Sequence, residues 1–251
     1  MKKILLTNDD GINSKVLRAL IRILEKKYEI VTVVPDRERS AVSQSITLTS
    51  PIRMKKIKKN IYTIDGTPTD CVYLTVLGAI DFKPDIVISG INMGPNMGED
   101  IFYSGTVAAA REAALAKIKS IAISLDGYNK KYYFDTALKL TDIVIDKFSD
   151  LKLPEGIFLN MNIPNIPYNM VKGIKITHLG SRRYFDKLIK RFDPGGNPYF
   201  WLSGDDVKWK EDKNSDYYAV KENYISITPL HMDLTAYNFI NKLKRSGITK
   251  L

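Results

Sequence analysis

The chain has 251 residues, 44% of them hydrophobic and 26% charged, with a formal net charge of +10. That composition excludes a disordered chain and accommodates one large domain with a sizeable core. The lone cysteine, Cys71, excludes an intrachain disulfide and suits a reducing compartment.

Residues Ile4–Thr7 form a short apolar run stopped by Asn8-Asp9-Asp10-Gly11, which reads as a buried strand ending at a polar loop. Ser14 is placed to cap a helix running through Lys27, whose apolar residues Val16, Leu17, Leu20, Ile21, Ile23 and Leu24 recur at helical spacing. The β-branched run Ile30–Val34, ended by Pro35, predicts a second buried strand, so the start of the chain reads as a right-handed βαβ unit. Ser45–Met54 alternates enough for an extended segment, Ile61–Ile64 reads as a short strand, and Pro68–Ile80 as a helix with Pro68 in its first turn. Ile86–Ser89 is a further buried strand, followed by a Gly- and Asn-rich loop, Gly90–Gly98. The Ala-rich stretch Thr106–Lys117 predicts a helix, Ser120–Ser124 a strand, Tyr132–Phe148 a helix and Phe158–Asn162 a strand. Residues 1–164 therefore read as an α/β core, Rossmann-like and doubly wound around a mainly parallel sheet.

After Pro164 the texture changes. Val171–Thr177, Tyr199–Leu202 and Tyr224–Thr228 look like strands with long polar connections, Asp193–Pro198 is strong turn chemistry, and Leu234–Lys244 predicts a final helix. Tyr184, Phe185, Phe192, Tyr199, Phe200 and Trp201 concentrate aromatics there. Residues 165–251 are expected to be a β-rich extension of the same domain that shapes the pocket and takes part in oligomerisation.

In an open parallel sheet, ligands bind at the carboxyl ends of the strands, and four polar loops should lie there. In Asn8-Asp9-Asp10-Gly11, two adjacent carboxylates repel one another unless a cation or hydrogen-bond donors neutralise them, and hard oxygens of this kind select Mg²⁺ or Mn²⁺. Without a cation the same loop reads as a solvated turn and helix cap. In Pro35–Ala41, Arg37 and Arg39 could offset a phosphate and Ser40 could supply a neutral oxygen ligand, although the loop also reads as a charged surface turn. Gly90–Gly98 brings Asn92 and Asn96, whose amide oxygens are further hard ligands, on a backbone whose glycines suit close approach to a ligand. Its spacing is neither a dinucleotide fingerprint nor a Walker A loop. Ser104-Gly105-Thr106 opens the Ala-rich helix, where free N–H groups and the helix dipole make an anion site or a plain cap. The two histidines, His178 and His231, lie far apart, which counts against a histidine-rich metal site. The net charge fits an enzyme that draws in anions. The basic residues are spread, with short clusters at Arg53–Lys59 and Arg182–Arg191 and no RGG, zinc-finger or RRM signature, so nucleic acid is not expected as the main partner.

Taken in order, ILLTNDDGI, VVPDRERSAVSQSIT, DGTPTDCV, VISGINMGPNMGEDIFYSGTVAAAREA and YISITPLH resemble the stationary-phase survival protein SurE family of metal-dependent nucleotidases, over essentially the whole chain. In that family the paired aspartates, the serine of the RSA segment and the asparagine of the GxN segment hold the metal. The resemblance therefore implies Asp9, Asp10, Ser40 and Asn92 as ligands of one divalent ion per subunit, Mg²⁺ or Mn²⁺. It implies a phosphate end at Asn96 and Ser104-Gly105-Thr106, with Asn8 beside the carboxylates joining the substrate site. The implied activity is hydrolysis of nucleoside 5′- and 3′-monophosphates to nucleoside and phosphate by metal-activated water, with short polyphosphate a further substrate of some members, in a homodimer or homotetramer. Asp9 and Asp10 are the expected catalytic carboxylates, Asp9 orienting or deprotonating the attacking water. An aspartyl-phosphate mechanism is the rival, but adjacent carboxylates fit the usual DxD spacing of such enzymes poorly. The apolar run at the N-terminus stops at Leu6, too short for a signal peptide, and no stretch reaches the length of a membrane span, so a cytoplasmic location is expected.

Overall fold

Strand β1 (Lys3–Thr7) is a run of apolar residues buried along almost its whole length, the pattern of a strand covered on both faces. The computed structural model describes residues 1–127, 131–184, 187–203 and 207–248. After β1 come α1 (Lys15–Leu24), β2 (Glu29–Pro35), β3 (Met54–Lys58), β4 (Ile61–Ile64), α2 (Pro68–Val76), β5 (Ile86–Met93), α3 (Gly105–Leu115), β6 (Lys119–Leu125), α4 (Phe134–Asp150) and β7 (Ile157–Ile163). The extension adds β8 (Gly173–Ile176), β9 (Arg182–Tyr184), β10 (Lys187–Phe192), β11 (Pro198–Ser203), β12 (Val207–Trp209), α5 (Asp216–Lys221), β13 (Tyr224–His231) and α6 (Tyr237–Arg245).

The main sheet has the order β3-β4-β2-β1-β5-β6-β7-β13-β8. From β4 through β7 every pairing is parallel, as is β13 with β8, while β3–β4 and β7–β13 are antiparallel. One face is covered by α1 and α4, where Leu17, Leu20 and Phe148 join Ile4, Leu6 and Ile88 in a single core. The other face is covered by α2 and α3, where Cys71, Val72, Ala109 and Ala113 meet Leu5, Val33 and Val87. Burying each Leu or Ile contributes about 1.5–3 kcal/mol, so two-sided coverage is what makes the continuous apolar strands favourable. The direction of winding reverses at β1, whose neighbours are β2 on one side and β5 on the other. The crevice beyond the carboxyl ends of these three strands is the expected ligand position for this fold class.

The observed elements differ from the expected ones in places. Helix α1 stops at Leu24, and Ser14 stands at its N-cap without making a side-chain cap bond. Helix α2 stops at Val76 because Gly78 takes a positive φ of 89°, although its start carries a full capping box between Thr67 and Asp70. The extended segment expected over Ser45–Met54 forms no strand before Met54; Thr47 instead bonds the Asp70 carboxylate through its N–H and its hydroxyl, at 2.9 and 2.7 Å. Strand β5 runs on through Met93, four residues into the expected loop. The main sheet also crosses Pro164, since β13 pairs with β7 and β8 pairs with β13. Strands β10 and β11 form a separate two-stranded ribbon, and β9 pairs with β12. Strand β10 is exposed at every residue and so lacks the alternation by which a half-buried strand is recognised. Phe185 lies outside the described residues.

Candidate active site

The loop after β1 is turned by its own side chains. Asn8, fully buried, accepts from Gly11 N–H at 3.1 Å and donates to Gly11 C=O at 3.2 Å. Gly11 sits at φ +79°, and a Cβ there would meet Arg37 and Pro35 backbone atoms at 3.0 Å, so only glycine lets this loop lie against the one after β2. Both carboxylates consequently face one cavity of about 460 Å³. Asp9 is buried, and Thr106, at the start of α3, donates its hydroxyl to Asp9 Oδ1 at 2.6 Å. Burial pushes the carboxyls of both aspartates up; Asp10 reaches about 7, with the charges of Asp9 and Glu38 adding to the effect. Asp10 Oδ2 is buried with no hydrogen-bond partner among the described residues. Two adjacent carboxylates, one buried and one half-buried with a buried oxygen left over, are unfavourable unless a cation joins them.

The neutral oxygens needed to complete a cation site line the same cavity. Ser40 is at the rim, its Oγ donating to Glu38 Oε1 at 2.8 Å. Asn92, at the end of β5, donates Nδ2 to Gly94 C=O at 2.8 Å, which leaves its amide oxygen as the atom to face a cation. No group of three or more His, Cys, Asp or Glu side chains capable of holding a metal gathers among the described residues. Two carboxylates, a hydroxyl and an amide oxygen are a hard donor set and fit Mg²⁺ or Mn²⁺.

Across the cavity lies the start of α3. Ser104 caps it, accepting from Val107 N–H at 3.1 Å, and lines the cavity. Asn96 is clamped in a buried polar network. Its N–H donates to Asn162 Oδ1 at 2.8 Å, its C=O accepts from Asn160 and Asn162 Nδ2 at 2.8 and 3.0 Å, and its Nδ2 donates to Ser124 Oγ at 2.7 Å. Asp9, Asp10, Ser40, Asn92, Asn96 and Ser104 thus share one cavity. Asn8, Gly105 and Thr106 stand behind it: Asn8 shapes the turn, Thr106 spends its hydroxyl on Asp9, and a Cβ on Gly105 would lie 3.2 Å from Asp9 Cβ.

Of the two readings of the Pro35–Ala41 loop, Arg37 and Arg39 follow the charged surface turn and do not line the cavity. Arg37 is exposed, with Asp36 as a distant ion partner at 3.9 Å, and Arg39 Nη2 donates to Asp65 C=O at 2.5 Å. The glycines of the Gly90–Gly98 segment serve backbone packing as much as ligand approach: a Cβ on Gly90 would lie 2.2 Å from Ile123 C=O, and one on Gly98 would lie 2.7 Å from Gly180 C=O. His178 and His231 do not line the cavity, and His178 pairs with Asp212 at 3.3 Å. Cys71 is fully buried, and burial pushes its thiol up, away from reactivity. Glu38, Asp100, Tyr103, Tyr132 and Arg182 also line the cavity; the first three lie in the segments that carry the family resemblance, without a role read for them, and Tyr132 and Arg182 lie outside every such segment. Arg182 arrives from the extension, and only the fold brings it here.

The profile of the family described as Survival protein SurE matches residues 4–186. A relative named 5′-nucleotidase SurE from Geotalea uraniireducens (strain Rf4) is 46% identical over 98% of this chain and 100% of its own length. Another of that name, from Aquifex aeolicus (strain VF5), is 43% identical over 97% of this chain and 98% of its own. The crystal structure of the SurE protein from Aquifex aeolicus superposes with a TM-score of 0.86 at 42% identity, covering 97% of this chain and 98% of that one.

Proposed function

The chain belongs to the survival protein SurE family, and from that premise we propose that it is a divalent-metal-dependent nucleotidase that hydrolyses nucleoside 5′- and 3′-monophosphates. The observation that carries the reading is the adjacent Asp9–Asp10 pair, with Asp9 buried and the buried Asp10 Oδ2 unpartnered among the described residues, in one cavity with the Ser104 helix start. Asp9, Asp10, Ser40 and Asn92 would hold one Mg²⁺ or Mn²⁺ ion per subunit. When bound, that ion supplies charge to polarise a phosphoryl oxygen and acidifies a water. Thr106 holds Asp9 so that its carboxylate orients the attacking water and takes up its proton. Ser104 and the positive end of α3 bind the remaining phosphoryl oxygens and stabilise the charge that develops there. Asn96, held by Asn162 and Ser124, fixes the facing wall.

Phosphate release from a panel of nucleoside 5′- and 3′-monophosphates is expected with Mn²⁺ or Mg²⁺ and is expected to stop in EDTA. Release that persists in EDTA would remove the metal from the mechanism. Release from no nucleotide with either metal would overturn the nucleotidase reading, and short polyphosphate belongs in the same panel as a further substrate.

The same reading takes the protein as a homodimer or homotetramer. Leu188, Phe192, Phe200, Trp201 and Leu202 on the β10–β11 ribbon are exposed, as are Tyr237, Phe239 and Leu243 on α6, and monomers rarely leave so much apolar surface uncovered. Light scattering should give a multiple of the 28.5 kDa chain mass; a single-chain mass at micromolar concentration would refute it. No helix among the described residues is long and apolar enough to cross a membrane, and the buried single thiol fits the cytoplasmic location that completes the reading.

A further inference from the structure

The cavity extends to an outer wall that the metal and phosphate chemistry leaves unused. Its volume of about 460 Å³ lies in the range of pockets that enclose small organic ligands. On this wall Asp100, from the helical turn Gly98–Phe102, is ion-paired with Arg182, the first residue of β9. Their side chains are only 13% and 10% exposed. The pair is built from behind. Asp216, fully buried at the start of α5, accepts from Gly98 N–H at 2.9 Å and from Gly180 N–H at 2.8 Å. One carboxylate therefore binds the segment leading to Asp100 to the segment leading to Arg182. Glu99 Oε2 accepts from Arg182 N–H at 2.9 Å, and the Arg182 guanidinium lies 5.4 Å from the Trp209 ring, which stacks on Tyr217 at 4.2 Å.

A buried ion pair returns little net stability compared with apolar side chains of the same volume, so a supported pair on a cavity wall points to recognition. Asp100 offsets the charge of Arg182, and Glu99 adds a further negative charge at its backbone. A second phosphate would gain little there. A neutral ligand with hydroxyl groups would find a carboxylate acceptor and guanidinium donors side by side. Two phenol rings complete the wall: Tyr132, fixed by its hydroxyl donating to Gly127 C=O at 2.6 Å, and Tyr103, which is 64% exposed at the mouth. Tyr103 is held by its backbone, its C=O accepting from Ser43 N–H at 3.0 Å, and its ring lines the cavity with much of its surface exposed.

We propose, resting on the nucleotidase reading, that Asp100 and Arg182 form the ribose end of a nucleoside subsite and that Tyr103 is the stacking face for the base. The test compares kcat/KM for methyl phosphate, ribose 5-phosphate and adenosine 5′-monophosphate with Mn²⁺. In the wild type each added portion should raise kcat/KM. Arg182→Ala and Asp100→Asn should lose the gain from methyl phosphate to ribose 5-phosphate. Tyr103→Ala, a change at an exposed side chain, should lose the gain from ribose 5-phosphate to the nucleotide. Each loss should be about 10-fold or more. Ratios taken within one variant cancel any loss of folded protein. If all three variants keep the wild-type ratios, the subsite assignment is wrong while the nucleotidase reading stands. If the wild type cleaves methyl phosphate as well as the nucleotide, the subsite is likewise refuted. If it cleaves none of the three, the nucleotidase reading fails and the subsite with it.

Discussion

Asp9→Asn is expected to lower kcat by about 10²–10³-fold or more while the protein stays folded, the scale seen when a group that stabilises transition-state charge is removed. The amide keeps the shape of the carboxyl and can still accept from the Thr106 hydroxyl, which now donates to Asp9 Oδ1 at 2.6 Å. What it loses is the charge that would bind a cation and the basic oxygen that would take a proton. Turnover near the wild-type rate in this variant would overturn the assignment of Asp9.

The same substitution should leave a mark on stability. In the metal-free protein, Asp9 and Asp10 are adjacent like charges partly withdrawn from water, so the variant is expected to melt at or above the wild type in EDTA. Added Mn²⁺ should raise the melting temperature of the wild type alone, because only a ligand that binds the folded state stabilises it. The sign with pH follows from Asp10, whose carboxyl is raised from 3.8 to about 7 by burial and by Asp9. The folded metal-free protein holds a proton there that the unfolded chain releases. This contribution to stability is present at acidic pH and is lost as pH rises from about 4 to 7. The advantage of Asp9→Asn in EDTA should therefore grow across that window. Parallel melting curves at pH 5 and pH 7 would show that the two carboxylates do not repel in the metal-free protein.

Gly90→Ala is expected to reduce the free energy of unfolding by about 3 kcal/mol or more, combining a disfavoured φ with overpacking. Gly90 sits at φ +132°, and a Cβ there would fall 2.2 Å from Ile123 C=O on the neighbouring strand. A backbone oxygen in a parallel sheet cannot swing away as the end of a long side chain can, so either β5 or β6 must shift. The pairing of these strands already changes register between Ser89 and Asn92. That irregularity sets where Asn92 emerges, and the same variant should lose activity with its stability. Urea unfolding measures the first effect, and an unchanged midpoint would mean that the backbone at Gly90 relaxes freely.

Much of this architecture was readable one segment at a time. The apolar runs at Ile4–Thr7, Ile30–Val34 and Ile86–Ser89 are strands, because a strand covered on both faces needs apolar residues on both. The pairing of polar loops with strand ends also placed Asp9, Asp10, Ser40, Asn92, Asn96 and Ser104 near one edge, and they line one cavity. The ribbon strand β10 escaped because all its residues are exposed, and the signal for a strand in a sequence is burial on at least one face. Helix α5 spans only Asp216–Lys221, too short for a helical period to stand out.

Roles within the loops were a different matter. Asn8, Thr106 and Arg39 are polar residues in the right loops, yet they bond to Gly11, Asp9 and Asp65. Residue type specifies what a side chain can donate or accept, and local spacing specifies which strand end it follows. These two properties were determined by the sequence alone, and with them the fold class and the carboxylate pair. Which atom each side chain meets depends on residues far along the chain that the fold brings within about 3 Å, the reach of a hydrogen bond. The tertiary structure alone therefore decided that Thr106 holds Asp9, that Asn162 clamps Asn96, and that Arg182 crosses from the extension to stand beside Asp100.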